Sequence, residues 1–177
     1  MEDSQVRLVP LAAKTVVCHT ITYFCMGLLA YHFLHYQDFI NNPCSGMRPT
    51  TSLWVILGTP LQLFRAVLFA SIFYAFRSQL FGRKNGWLLM AWLLIGVGIL
   101  GTFAAPAGSL EGFIYLTMPF VSQVRGYLEI VTQALLLSAL LTYWINHPGK
   151  KWFGRVLMIA YVIVVGLPLL ALVAPKR

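Results

Sequence analysis

Charge is what this chain has least of. Asp, Glu, Lys and Arg together make up 10% of its 177 residues, and only 5 of those are acidic. That content lies outside the range of ordinary soluble domains. Cysteine is sparse too, with 3 in all. Cys18 and Cys25 are separated by about 10.5 Å of helical rise, beyond the roughly 7 Å within which two Cα atoms can be bridged, and Cys44 stands alone in a loop segment. A disulfide framework is therefore excluded. The first apolar run has no small-x-small cleavage site after it, follows the acidic Glu2 and Asp3, and contains the polar His19. It reads as a retained helix and not as a signal peptide.

What the chain has instead is apolar surface: 59% of its residues are hydrophobic and the mean hydropathy is +0.75. A bilayer core about 30 Å thick requires roughly 20 apolar residues in helical form. About five runs meet that length: Ala12–Tyr36, Leu53–Phe76, Trp87–Ala105, Gly126–Ile145 and Val156–Ala174. The expected fold is an all-α polytopic membrane bundle forming a single domain over residues 1–177, because the connections are too short to hold a second one.

The net charge of +8 raises the question of nucleic acid. The basic residues are dispersed at the ends of the apolar runs, so no continuous basic surface is expected and nucleic acid is excluded as a partner. Orientation accounts for them better. With the N-terminus inside, Arg7, Lys14, Arg77, Arg83, Lys84, Lys150, Lys151 and Arg155 share the inner side and outnumber Arg48, Arg125, Lys176 and Arg177 outside. The positive-inside rule then predicts a cytoplasmic N-terminus, and small size with short loops fits a bacterial inner membrane.

Several local signals refine the bundle. Ser52 or Thr51 is placed to cap the second helix. Gly58-Thr59-Pro60 removes a backbone donor and predicts a kink shortly before Gln62 and Arg65. The segment Pro106–Arg125 is the longest outward connection. It holds either a short interfacial or re-entrant helix around Gly112–Val124 or the start, at Pro119, of a long tilted fourth helix. Phe81-Gly82-Arg83 and Phe153-Gly154-Arg155 each precede an apolar run, which raises a duplicated hairpin with the first helix added to it.

The remaining basic residue, Arg65, is the sharpest functional signal, since a charge inside a membrane span marks a functional site by default. Counting rise from the inner helix ends puts Arg65 at about 18 Å, Gln62 at about 22 Å, Gln133 at about 20 Å and Glu129 at about 26 Å. Gln62 with Arg65, and Glu129 with Gln133, fall three and four residues apart and so share helix faces. Two readings stay open. In one, Arg65 and Glu129 form a neutralised clasp between the second and fourth helices, with the amides as interhelical glue. In the other, the guanidinium holds an anionic lipid headgroup, carboxylate or phosphate.

Weaker constellations complete the survey. His32, His35 and Asp38 follow one another at three-residue spacing, a weak metal-ligand pattern that Glu111 or Cys44 would have to complete. It matches no metalloprotease motif, and no cofactor is expected; haem in particular lacks facing histidines at a common depth. Gly96-Val97-Gly98-Ile99-Leu100-Gly101 reproduces G-x-G-x-x-G without a strand before it, so close helix packing is the expected role of these glycines. No serine near a glycine has a base at matched depth.

The expected function is that of an accessory, assembly or sensor component held by a buried polar clasp, with membrane lipids, a protein partner or a second copy as partners. The first alternative is a carrier or channel for a small polar or anionic solute centred on Arg65. The second is an intramembrane lipid-modifying enzyme, for which Glu111, Arg125 and the histidines would be the acid-base groups.

Overall fold

A computed structural model describes residues 6–34, 36, 48–102 and 105–173. The described residues form helices and no strand, as a chain without bilayer access to water must arrange its backbone polar groups. The protein is an all-α membrane protein. Three of its helical stretches, Leu8–Phe33, Phe120–Asn146 and Lys151–Leu170, are individually long and apolar enough to cross a bilayer. The second apolar run is broken at Leu57, and the third forms a shorter apolar helix over Gly86–Leu100.

Helix α1 (Leu8–Phe33) begins ahead of the expected Ala12. Pro10 falls in its first turn, where a missing N–H has no intrahelical partner to lose, and the Leu11 amide already donates to the Arg7 carbonyl at 3.1 Å. The extension matters for His19, which now lies about 16 Å along the helix from Leu8 and not at its edge. Every residue from Thr15 to Thr22 is buried, so α1 is enclosed on all sides over that stretch. Two hydroxyls there are satisfied locally: Thr15 donates to the Leu11 carbonyl at 2.8 Å and Thr22 to Cys18 at 3.0 Å, the internal bonding expected of hydroxyls in apolar helices.

After Ser52, which caps by backbone conformation without a side-chain bond, α2 (Leu53–Ile56) gives way at Leu57 to α3 (Gly58–Ala75). The expected irregularity near Pro60 thus falls at Leu57, and Pro60 sits harmlessly in the first turn of α3. Thr59, Ala66, Ala70 and Phe73 are the buried residues of α3; their spacing draws one stripe along the helix. Two alanines in that stripe let backbones approach closely, the usual means of association where lipid is as apolar as the side chains. Arg65 flanks the stripe and is exposed on the bundle.

A short helix α4 (Arg77–Leu80) and a loop lead to α5 (Gly86–Trp92), which continues as a π-helix over Leu93–Leu100. The Gly101 amide closes it on the Gly96 carbonyl at 2.7 Å. The glycines of 96–101 therefore do something other than the expected packing: Gly98 has nothing within 4 Å of where a Cβ would stand, whereas a Cβ on Gly101 would meet the Gly96 oxygen at 2.7 Å. The absent side chains permit the wide turn.

The connection 106–125 holds two short helices, the second of which leads into the fourth apolar run. Helix α6 (Leu110–Tyr115) is short and capped by Ser109, whose Oγ accepts from the Gly112 amide at 2.9 Å. Helix α7 (Phe120–Val124) starts directly after Pro119 and runs, across a break at Arg125 and Gly126, into α8 (Tyr127–Asn146). Ala134, Leu137, Ser138, Leu141 and Thr142 form the buried face of α8, again one helical stripe. Helix α9 (Lys151–Val173) carries Pro168 inside it.

Helix α1 is the hub, packing against α3, α8 and α9, while α5 packs against α8. Its central position differs from the expected helix appended to a duplicated hairpin. The two Phe-Gly-Arg tripeptides also differ in conformation: Gly82 is in a turn with φ +72°, whereas Gly154 lies inside α9. The core joins Leu11, Cys18 and Ile21 of α1 to Phe73, Met90, Leu137, Leu141 and Leu157.

Candidate functional site

The buried stripe of α3 passes through the position of Gln62, and it is there that α1 and α3 exchange their polar contact. Gln62 Nε2 donates to the Gly58 carbonyl at 3.0 Å, which turns Oε1 toward α1. His19 Nε2 lies 3.2 Å from that oxygen, so this nitrogen carries the proton and Nδ1 is left as an acceptor. The imidazole is 1% exposed and packs edge-on against Phe69, with ring centroids 5.1 Å apart. Its Nδ1 is buried and has no hydrogen-bond partner.

One turn further along α3, Arg65 faces a cavity of about 370 Å³. Four elements bound it: His19 from α1, Arg65 and Phe69 from α3, Leu94, Gly98 and Ile99 from the π-helix, and Ile130, Gln133, Ala134 and Leu137 from α8. Pro106 and Ala107 also line it. Among the described lining residues there is no carboxylate, hydroxyl or thiol; the polar groups are one guanidinium, one amide and one imidazole. A cation and neutral hydrogen-bonding groups in a mostly apolar recess is the composition of a site that holds an anion.

The four sequence-selected residues are thus divided. Arg65 and Gln133 share the cavity, and Gln62 adjoins it through His19. Glu129 does not: in the first turn of α8, it accepts a hydrogen bond from the Tyr36 hydroxyl, beside Gly126, where a Cβ would stand 3.4 Å from the same hydroxyl. No Arg65–Glu129 ion pair is formed among the described residues. The reason is lateral as well as axial. Helix α1 packs against both α3 and α8, and a carboxylate in the first turn of α8 sits about a turn and a half beyond the level of Arg65.

His19 is the residue that sequence reasoning missed. Its signal was available as a ring-bearing polar residue among Thr15, Thr20 and Thr22 in an otherwise apolar run, but the run had been started too late. Of the weak metal candidates, His35 and Asp38 lie outside the described residues, and His32 stacks edge-on with Tyr31, centroids 5.4 Å apart. No group of three or more His, Cys, Asp or Glu side chains converges among the described residues.

Around the outward loop, Gln123 and Ser109 form a buried knot. Gln123 Nε2 donates to the Met118 carbonyl at 2.9 Å and its Oε1 accepts from the Gly108 amide at 3.4 Å, while the Tyr127 hydroxyl donates to the Gly108 carbonyl. Gly108 has φ +86° and a Cβ there would meet the Tyr127 ring at 2.8 Å. The knot ties Gly108, next to the cavity residues Pro106 and Ala107, to Gln123 of α7 and Tyr127 of α8.

Fold and site together define a helical membrane protein with a cationic recess bordered by Arg65. No family model, curated protein or solved structure matches the chain.

Proposed function

We propose that this is a non-catalytic membrane protein that binds an anionic group in the cavity at Arg65. One observation carries the reading: a guanidinium in the middle of an apolar helix borders a cavity of about 370 Å³ whose described lining contains no carboxylate to neutralise it. A charge in a bilayer requires a counter-charge or water, and a planar fork of donors matches a carboxylate or phosphate. Gln133 supplies a second polar side chain on the facing helix. The His19–Gln62 bond, and not an Arg65–Glu129 clasp, braces the α1–α3 contact next to the recess. Native mass spectrometry of the purified protein and of Arg65→Gln tests this. The wild type should carry an anionic species that the variant lacks, and identical bound species in both would remove the proposal.

A second reading is supported by the exposure of Arg65 on the bundle: a partner protein or a second copy supplies the carboxylate, making the chain an accessory or assembly subunit. Cross-linking from a photoreactive residue at Leu68, exposed one turn along the same helix, separates the two. Protein adducts that Arg65→Gln abolishes favour the partner; adducts to lipid or none favour the ligand.

A further inference from the structure

A second cavity, of about 540 Å³, opens at the end of the bundle where α1 begins. It involves none of the residues around Arg65 and stands independently of the reading above. Four cations line it: Arg7 and Lys14 from the start of α1, Arg77 from α4 and Arg83 from the following loop. Among the described lining residues none is acidic.

Each cation whose contacts are defined is held by a neutral partner. Arg77 Nη1 donates to the Tyr74 carbonyl at 3.0 Å and the guanidinium lies 4.5 Å from the Tyr74 ring centre. Arg83 Nε donates to the Ser78 carbonyl at 3.4 Å. The Lys14 ammonium lies over the Trp144 ring at 5.4 Å. The loop that carries Arg83 is itself clipped: Gly82, at φ +72°, donates its amide to Asn146 Oδ1 at 2.8 Å, tying it to the last turn of α8. These contacts fix the direction of the charges without cancelling them.

Basic residues at one end of a membrane bundle are expected from orientation alone. Orientation demands only that they be present, and Lys84 and Lys151 at the same end satisfy it as exposed side chains outside the cavity. It does not require that residues from two distant parts of the chain converge on one recess and be preorganised there. We infer that this cavity binds a phosphate group, carried either by an anionic lipid headgroup or by a free phosphate. Guanidinium forks recognise phosphate oxygens in pairs, and an ammonium adds a point charge. The volume is that of a small-molecule site, and basic pockets between helices at the membrane surface are suited to headgroups.

Native mass spectrometry of the full chain titrated with dioleoyl phosphatidylglycerol or dioleoyl phosphatidylcholine, with and without millimolar inorganic phosphate, provides the test. The wild type should retain phosphatidylglycerol in preference to phosphatidylcholine, or should bind inorganic phosphate directly. Lys14→Gln with Arg83→Gln should weaken that binding by at least roughly tenfold, while Lys84→Gln with Lys151→Gln, which removes the same charge from the same end, should leave it intact. Phosphatidylglycerol retained against inorganic phosphate assigns the site to a headgroup; displacement assigns it to free phosphate. Arg83→Lys, which keeps the charge, should restore part of the binding and shows that the Gln variants are not merely misfolded. Equal loss in the two double variants, or no binding of either probe to the wild type, overturns the proposal.

Discussion

His19 and Gln62 meet at 3.2 Å, imidazole Nε2 to amide Oε1, across the contact between α1 and α3. Both side chains are also held elsewhere: Gln62 through its Nε2 to the Gly58 carbonyl, His19 through its ring face-to-edge contact with Phe69. The bond therefore reports on the packing of two helices and on one wall of the Arg65 cavity at once. A double-mutant cycle with His19→Ala and Gln62→Ala, read by thermal unfolding in detergent, should give a coupling of about 0.6–1.7 kcal/mol, the range of interhelical hydrogen bonds in membranes. A coupling of zero would mean the two groups do not meet.

The same measurement distinguishes two arrangements of the charged residues. Since Glu129 accepts from Tyr36 and Arg65 borders a cavity, Arg65→Ala and Glu129→Ala should be additive to within about 0.5 kcal/mol. Tyr36→Phe combined with Glu129→Gln should instead cost less than the sum of the single changes. A strong Arg65–Glu129 coupling would restore the direct ion pair and empty the cavity of its need for an anion.

Depth along a helix was legible in the sequence; neighbours around it were not. The stripe Ala134, Leu137, Ser138, Leu141 and Thr142 follows from spacing alone, and the depth of Gln133 relative to Arg65 put both at the level where they share a cavity. Glu129, counted about 8 Å deeper than Arg65, stands in the first turn of α8, and one-dimensional counting says nothing of α1 packing against both α3 and α8. The start of α1 was not legible because hydropathy ignores Pro10, a residue that a helix accepts in its first turn, and that start sets how far His19 lies from the helix end. The π-helix escaped for a similar reason: three glycines in an apolar run look the same whether they admit a neighbour or widen a turn.

Among the described glycines, Gly86 has the least room for a side chain. A Cβ placed there would stand 1.8 Å from the Leu80 carbonyl oxygen and 2.7 Å from its carbon. Backbone atoms cannot swing aside as a side-chain tip would, so Gly86→Ala must displace the start of α5 from α4. We expect a loss of more than about 2 kcal/mol, measured by thermal unfolding in detergent. Gly149→Ala, with nothing within 4 Å of its Cβ, should change stability by less than about 0.5 kcal/mol; similar effects at the two positions would contradict the close contact.

Gly98 allows the Arg65 cavity to be closed without unfolding its walls. It lines the recess, and the space where its Cβ would stand is open to 4 Å, so Gly98→Leu should project apolar atoms into the volume an anion would occupy. Gly101, one helical turn on, has no such room, because a Cβ there meets the Gly96 oxygen at 2.7 Å. The two substitutions should therefore fail in opposite ways. Gly98→Leu should keep near wild-type thermal stability and lose the anionic species seen by native mass spectrometry, whereas Gly101→Leu should lower stability. If Gly98→Leu retains the bound species while remaining folded, the anion does not sit against the Gly98 wall of the cavity.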